Sequence, residues 1–150
     1  MINNSDLINF LFHFSAVCVL PFWALMIFFP NLLITQRLIK SPWIILPPIF
    51  CYAVLLIPNL SLDHLVFFKA TSPETLASIL NAPWAAGVFW AYAGAFDLFV
   101  GRWMFLDSRD KKIKHRYMVL PLAVSIFFGP LGFLIYGALR LALSKQRRSF

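Results

Sequence analysis

Asp97 and Arg102 are the residues whose types and setting could do chemistry. They lie in the stretch Trp90–Asp107, WAYAGAFDLFVGRWMFLD, where a membrane-crossing segment ordinarily carries no charge. Asp97 stands near the middle of an otherwise apolar run that begins at Pro83. A charge at the bilayer centre costs roughly 2.5–3.5 kcal/mol on insertion scales, so such residues face protein or a wet cavity and are functional candidates by default. A carboxyl can donate or accept a proton, and a guanidinium can stabilise developing negative charge or position the carboxyl. Tyr92, five residues before Asp97, adds a phenol able to hydrogen-bond to a substrate. The competing role for Asp97 is structural, a carboxyl tying one helix to another.

The helix that must carry these residues is marked by small side chains. Gly87, Gly94 and Gly101 recur every seven residues, with Ala86 and Ala93 beside them. At about 3.6 residues per turn this spacing forms one stripe, which lets a second helix approach closely. Asp97 is four residues before Gly101 and borders that stripe, so it is expected to face protein. Arg102 is roughly 140° further around the helix, outside the spacing at which side chains pair. Asp97 therefore needs a partner from another helix or must be protonated. Arg102, near the end of the run, can snorkel.

The 150 residues are expected to form one domain, 1–150. The chain is 61% hydrophobic and 13% charged, with mean hydropathy +0.78. A soluble domain has about 45–50% apolar and about 25% charged residues, so this is an integral membrane protein. Its net charge of +7 flanks the apolar runs. That pattern points to membrane lipids as the charged partner, not to nucleic acid. Cys18 and Cys51 lie inside apolar runs and read as packed thiols. His13, His64 and His115 are too few and too scattered for a di-iron centre, although one site from His13, His64 and Asp97 is conceivable. No dinucleotide fingerprint or phosphate-binding loop is present, and no cofactor is expected. Met1–Asp6 lacks Lys and Arg, so the first apolar run reads as a retained span, not as a signal peptide.

Four apolar runs are long enough to cross a bilayer: about Leu7–Phe29, Pro42–Leu60, Pro83–Leu106 and Tyr117–Leu139. The expected class is an all-α membrane protein of about four transmembrane helices. Pro21 should kink the first, and Pro47-Pro48 should bend the second or make it irregular. Between the second and third, Ser72-Pro73-Glu74 reads as a helix start, giving a short interfacial helix over Pro73–Leu80. The stretch Asn31–Ser41 reads as a loop carrying Arg37 and Lys40, and Asp107–Arg116 as a strongly basic loop.

Gly129-Pro130-Leu131-Gly132 interrupts the fourth run and leaves two topologies open. A run of this length normally crosses, with the break as a kink, and that places the basic tail opposite the Asp107–Arg116 loop. If the chain turns back there, Arg37, Lys40, the loop's five basic residues and the tail's four share one side, and Lys69 stands alone on the other. The second arrangement has the stronger positive-inside bias.

The motifs together resemble the abscisic-acid-deficient-four-like membrane proteins. The resemblance rests on Asp97-Leu98-Phe99-Val100-Gly101-Arg102-Trp103, Leu106-Asp107-Ser108, Phe128-Gly129-Pro130-Leu131-Gly132 and Pro42-Trp43 with the apolar run to Leu56. It implies a small protein of about four spans. Plant members are needed to make neoxanthin from violaxanthin in xanthophyll synthesis. The resemblance thus implies an isomerase-like or accessory factor of carotenoid metabolism with a carotenoid as substrate or bound ligand, and the residues read above, Asp97, Arg102 and Tyr92, are the expected site residues. Trp-any-His ordinarily precedes the DLF motif, whereas this chain has Trp90-Ala91-Tyr92. A tyrosine donates a hydrogen bond but is a poor base at neutral pH. The alternative is a pigment-binding or structural subunit of a larger, photosynthetic membrane complex, assembled as a homo-oligomer or with other subunits. The membrane would be a bacterial inner membrane or a thylakoid. The 17 Phe residues would suit a long polyene, and equally a lipid-facing surface.

Overall fold

The computed structural model describes residues 5–59 and 72–148. Asp63, His64 and Lys69 lie outside the described residues. Among the described residues eight α-helices follow in order: α1 (Ser5–Val17), α2 (Leu20–Phe28), α3 (Leu33–Lys40), α4 (Leu46–Leu56), α5 (Pro73–Leu80), α6 (Pro83–Asp110), α7 (Val119–Ser125) and α8 (Gly129–Arg148). The all-α membrane class is as expected: Ser5–Phe28, Pro42–Asn59 and Pro83–Asp110 are each long and apolar enough to cross a membrane. Two compact units form, one from Met1–Val19 with Leu46–Ala95, the other from Leu20–Ile45 with Phe96–Phe150.

Prolines set the local breaks. Pro21 has no N–H to give the carbonyl of Val17, and α1 ends there, with α2 restarting at Leu20. Pro47 and Pro48 do not interrupt a helix interior. They sit in the first turn of α4, where their missing N–H groups cost nothing, and the 3-10 turn Pro42–Ile45 leads into them. The short helix α5 matches its expected bounds, with the Ser72 hydroxyl accepting from the Thr75 N–H at 3.2 Å.

The first unit is knit by apolar packing. Ile8 and Leu11 of α1, Cys51 and Leu55 of α4, and Val88 and Ala91 of α6 form its core. Gly87 admits Leu55, whose Cδ1 would lie 2.9 Å from a Cβ there, and Gly94 faces the carbonyl oxygen of Ser15. The glycine stripe thus works as the spacing implied.

The second unit departs from expectation in three places, the first being the stretch read as a loop at Asp107–Arg116, whose first four residues are the last turn of α6. The stretch read as a loop at Asn31–Ser41 contains α3, an amphipathic helix that buries Thr35 and Ile39, four residues apart. And the segment Tyr117–Leu139 does not make one crossing. It is two helices joined at 126–128, and the chain folds back there. Along a continuing helix, Pro121 and Gly132 would stand roughly 16 Å apart. Instead a Cβ on Gly132 would lie 2.6 Å from the Pro121 carbonyl oxygen and would collide with the Ser125 hydroxyl. Only glycine permits this closeness, so α7 and α8 form a tight hairpin. From its turn, α8 runs beside α6 in the same direction: Gly129 meets Asp97, Phe133 meets Trp103, and Arg140 meets Asp107. The basic loop after α6 and the charged end of α8 therefore lie at the same end of this unit. That is the turn-back arrangement, with its larger charge bias.

Candidate functional site

Asp97 is partly buried, and its partner does come from another helix. The backbone N–H of Gly129 donates to its carboxylate. Gly129 is the first residue of α8, whose opening N–H groups have no partner within the helix. A carboxylate there satisfies a donor and meets the positive end of the helix dipole. A Cβ at Gly129 would collide with Oδ1 of Asp97, so the glycine and the acid are matched. Among the described residues no cation pairs with Asp97.

Arg102 is turned to a different task. Its Nε donates to the carbonyl of Ile39 at 2.8 Å and an Nη to that of Lys40 at 2.6 Å. These are the last two residues of α3, whose terminal carbonyls need outside donors. Gly101, beside it, makes room for the Trp23 ring of α2. Tyr92 belongs to the first unit, where its ring is 6.4 Å from that of Tyr52 and 52% of it is exposed. Nearby, Phe12 and Trp90 stack with centroids 5.2 Å apart. Asp97 and Arg102 are thus not paired with one another: each closes the end of a helix.

Two features escaped the sequence. Asp107 accepts from the Tyr136 hydroxyl at 2.5 Å and faces Nε of Arg140 at 3.4 Å. Tyr136 and Arg140 are four apart on one helical face, which was the available signal, but their shared acceptor could be seen only once α8 was known to run beside α6. Ser125 is the other. It is wholly buried, and its hydroxyl has no hydrogen-bond partner among the described residues. It sits at the end of α7, against Gly132, inside the hairpin.

These elements define an all-α membrane protein in which Asp97 and Arg102, inside the apolar run of a membrane-length helix, are each spent on a helix end, beside a folded-back hairpin. The chain belongs to the ABA DEFICIENT 4-like family, whose model matches residues 10–136. It is 23% identical over 151 residues to Protein ABA DEFICIENT 4, chloroplastic, of Arabidopsis thaliana, an alignment that covers 97% of this chain and 67% of that protein. No solved structure matches it.

Proposed function

We propose that the protein acts in carotenoid metabolism, as an isomerase-like or accessory factor of xanthophyll synthesis, with Asp97 as the group that moves a proton. One observation carries the reading. Asp97 is a carboxylate within a membrane-length helix, fixed by a backbone N–H at the turn of a hairpin, with no cation paired to it among the described residues. Fixing the carboxylate leaves it oriented for proton transfer, which is what general acid–base work requires. The family's plant chemistry, opening an epoxide to an allenic alcohol, has matching needs. One C–O bond breaks, a polyene carbon loses a proton, and the oxygen gains one, with no net oxidation. Arg102, bound to Ile39 and Lys40, acts as a positioning residue that holds α3 to α6. The membrane in this reading is a bacterial inner membrane or a thylakoid.

A second reading is favoured by the half-exposed aromatic pairs Phe12–Trp90 and Tyr52–Tyr92. They offer flat apolar surface to a polyene, and Tyr92 in place of the family's histidine suits binding better than base chemistry. The protein would then hold pigment unchanged, as a homo-oligomer or within a larger complex. Pigment profiling separates the two. The gene is deleted in its host and restored as wild type or as Asp97→Asn, which keeps shape but not the charge. Loss of a specific carotenoid on deletion, return with wild type and absence with Asp97→Asn supports the proton-transfer reading. An unchanged profile with a carotenoid co-purifying in fixed ratio supports the second.

A further inference from the structure

We propose that the second unit carries a binding site for a phosphate-bearing anion, namely the headgroup of an anionic membrane lipid. A cleft of about 260 Å³ is lined by Asn31, Ser108, Arg109, Lys112, Ile113 and His115. It lies where the loop after α6 meets the chain after α2, at the basic end of the unit. Its lining gathers two cations, an imidazole and an amide, with the Ser108 hydroxyl donating to the Phe105 carbonyl at 2.7 Å, and no carboxylate. That is donor-rich chemistry suited to a phosphodiester.

The lining is held in place from below. His115 Nε2 bonds to the Ile27 carbonyl at 2.9 Å, and Arg109 donates one N–H to the Pro30 carbonyl at 3.0 Å. Arg109 also lies over the Phe105 ring, 5.7 Å from its centroid. A guanidinium has five N–H donors, so one bond to Pro30 leaves the planar fork usable.

Lys112 gives the independent clue. Helix α6 ends in a two-bond turn, with Ile113 N–H donating to Ser108 O at 2.8 Å and Lys112 N–H to Arg109 O at 2.9 Å. In that motif the residue at the Lys112 position is left-handed and is usually glycine. Lys112 has φ 52°, the one positive value recorded for a non-glycine residue among those described. A lysine kept in a strained position that glycine would fill more easily points to a use for its charge.

The surroundings choose the lipid over a free phosphate. Asn31 is flanked in sequence by Phe28 and Phe29 on one side and Leu32 and Leu33 on the other, all large apolar residues that are exposed. Acyl chains would lie on them while the headgroup entered the cleft. Basic pockets beside membrane helices are where anionic headgroups bind.

The test uses the full chain, purified and reconstituted in nanodiscs of phosphatidylcholine with or without phosphatidylglycerol, and read by native mass spectrometry of retained lipid. Wild type should retain phosphatidylglycerol in preference to phosphatidylcholine. Lys112→Gly should lower that retention about fivefold, and Lys112→Gly with Arg109→Gln further still. Lys112→Gly relieves the strained backbone, so its lost lipid cannot be blamed on misfolding; its thermal midpoint should rise. Arg37→Gln, a basic exposed residue outside the cleft, should leave retention unchanged. Equal retention of both lipids by wild type, or equal phosphatidylglycerol retention by wild type and Lys112→Gly, overturns the site. Displacement of the retained phosphatidylglycerol by millimolar inorganic phosphate overturns the lipid assignment and leaves a site for free phosphate. This outcome is independent of the carotenoid reading, which rests on Asp97.

Discussion

Both units bury apolar side chains, Trp23, Met26, Leu98 and Leu122 among them in the second, but the two differ in what else holds them. The first is held by apolar contact: Ile8, Leu11, Cys51, Leu55, Val88 and Ala91 meet across α1, α4 and α6. The second is tied by polar bonds to helix ends and to one shared acid. Asp97 closes the start of α8, Arg102 the end of α3, and His115 the end of α2, while Tyr136 and Arg140 converge on Asp107. The difference follows from helix length. Short helices expose many unpaired backbone groups, and a bilayer offers no water to satisfy them. The second unit contains α2, α3 and α7, each of nine residues or fewer, and so needs side chains as caps. Charge in the membrane segment is thereby accounted for in part by architecture. What remains for the proposed proton transfer is Asp97, which caps with a backbone N–H.

The all-or-none way to break this comparison is topology. If α7 and α8 fold back, cysteines placed by Lys111→Cys and Lys145→Cys, in a chain lacking Cys18 and Cys51, should react with an impermeant maleimide from the same side of sealed vesicles. Labelling from opposite sides would mean that α8 crosses, and the hairpin would be wrong.

Glycine substitutions come next in size. Gly132→Ala drives a Cβ into the Pro121 carbonyl and Ser125, where backbone must move, and should cost about 1–3 kcal/mol or more. Gly94→Ala in the first unit meets only the Ser15 carbonyl at 3.9 Å. It should be neutral or stabilising by about 0.5 kcal/mol, because glycine is a poor helix former. Unfolding midpoints in detergent decide the matter; equal losses at both positions would remove the claimed contrast.

Asp107 is the largest polar test. Asp107→Ala strands the buried Tyr136 hydroxyl and should cost about 1.5–3 kcal/mol. Arg140→Gln should cost under about 1 kcal/mol, since that side chain is 39% exposed and the pair is screened. A larger loss at Arg140 than at Asp107 would show that the ion pair, and not the phenol bond, holds α8 to α6.

The sequence made the three span-length helices legible because hydropathy and length suffice for them, and their ends fall close to the runs read from composition. The glycine stripe was legible for the same reason, being a periodicity. It also indicated that Asp97 would need a partner on another helix. It could not say which, because the partner is a backbone N–H that exists as a free donor only once α8 starts at Gly129. The GPLG break was visible, but glycine and proline permit a kink and a reversal alike. The reversal depends on Gly132 fitting against Pro121 and Ser125, contacts between helices that no local pattern encodes. Helix α3 was missed because it is short and has no side-chain cap at its start.

The smallest effect concerns the first unit, where α5 is the exception to apolar packing. Glu74 lies in its first turn, fully exposed, and its own backbone N–H holds its carboxyl below the usual value of 4.5, with the Ser72 hydroxyl adding to this. A carboxyl whose folded pKa is lowered contributes stability that is whole above its unfolded pKa and is lost as pH falls through the folded one. Helix α5 should therefore be unaffected by pH above about 5 and should fray below the ordinary glutamate range. Hydrogen exchange of the α5 amides, corrected for intrinsic rate, should show protection falling there in wild type. Glu74→Gln should show the weaker protection at every pH, with no step. A step that survives in Glu74→Gln would assign the pH response to another titrating group and remove Glu74 as the residue that holds the start of α5.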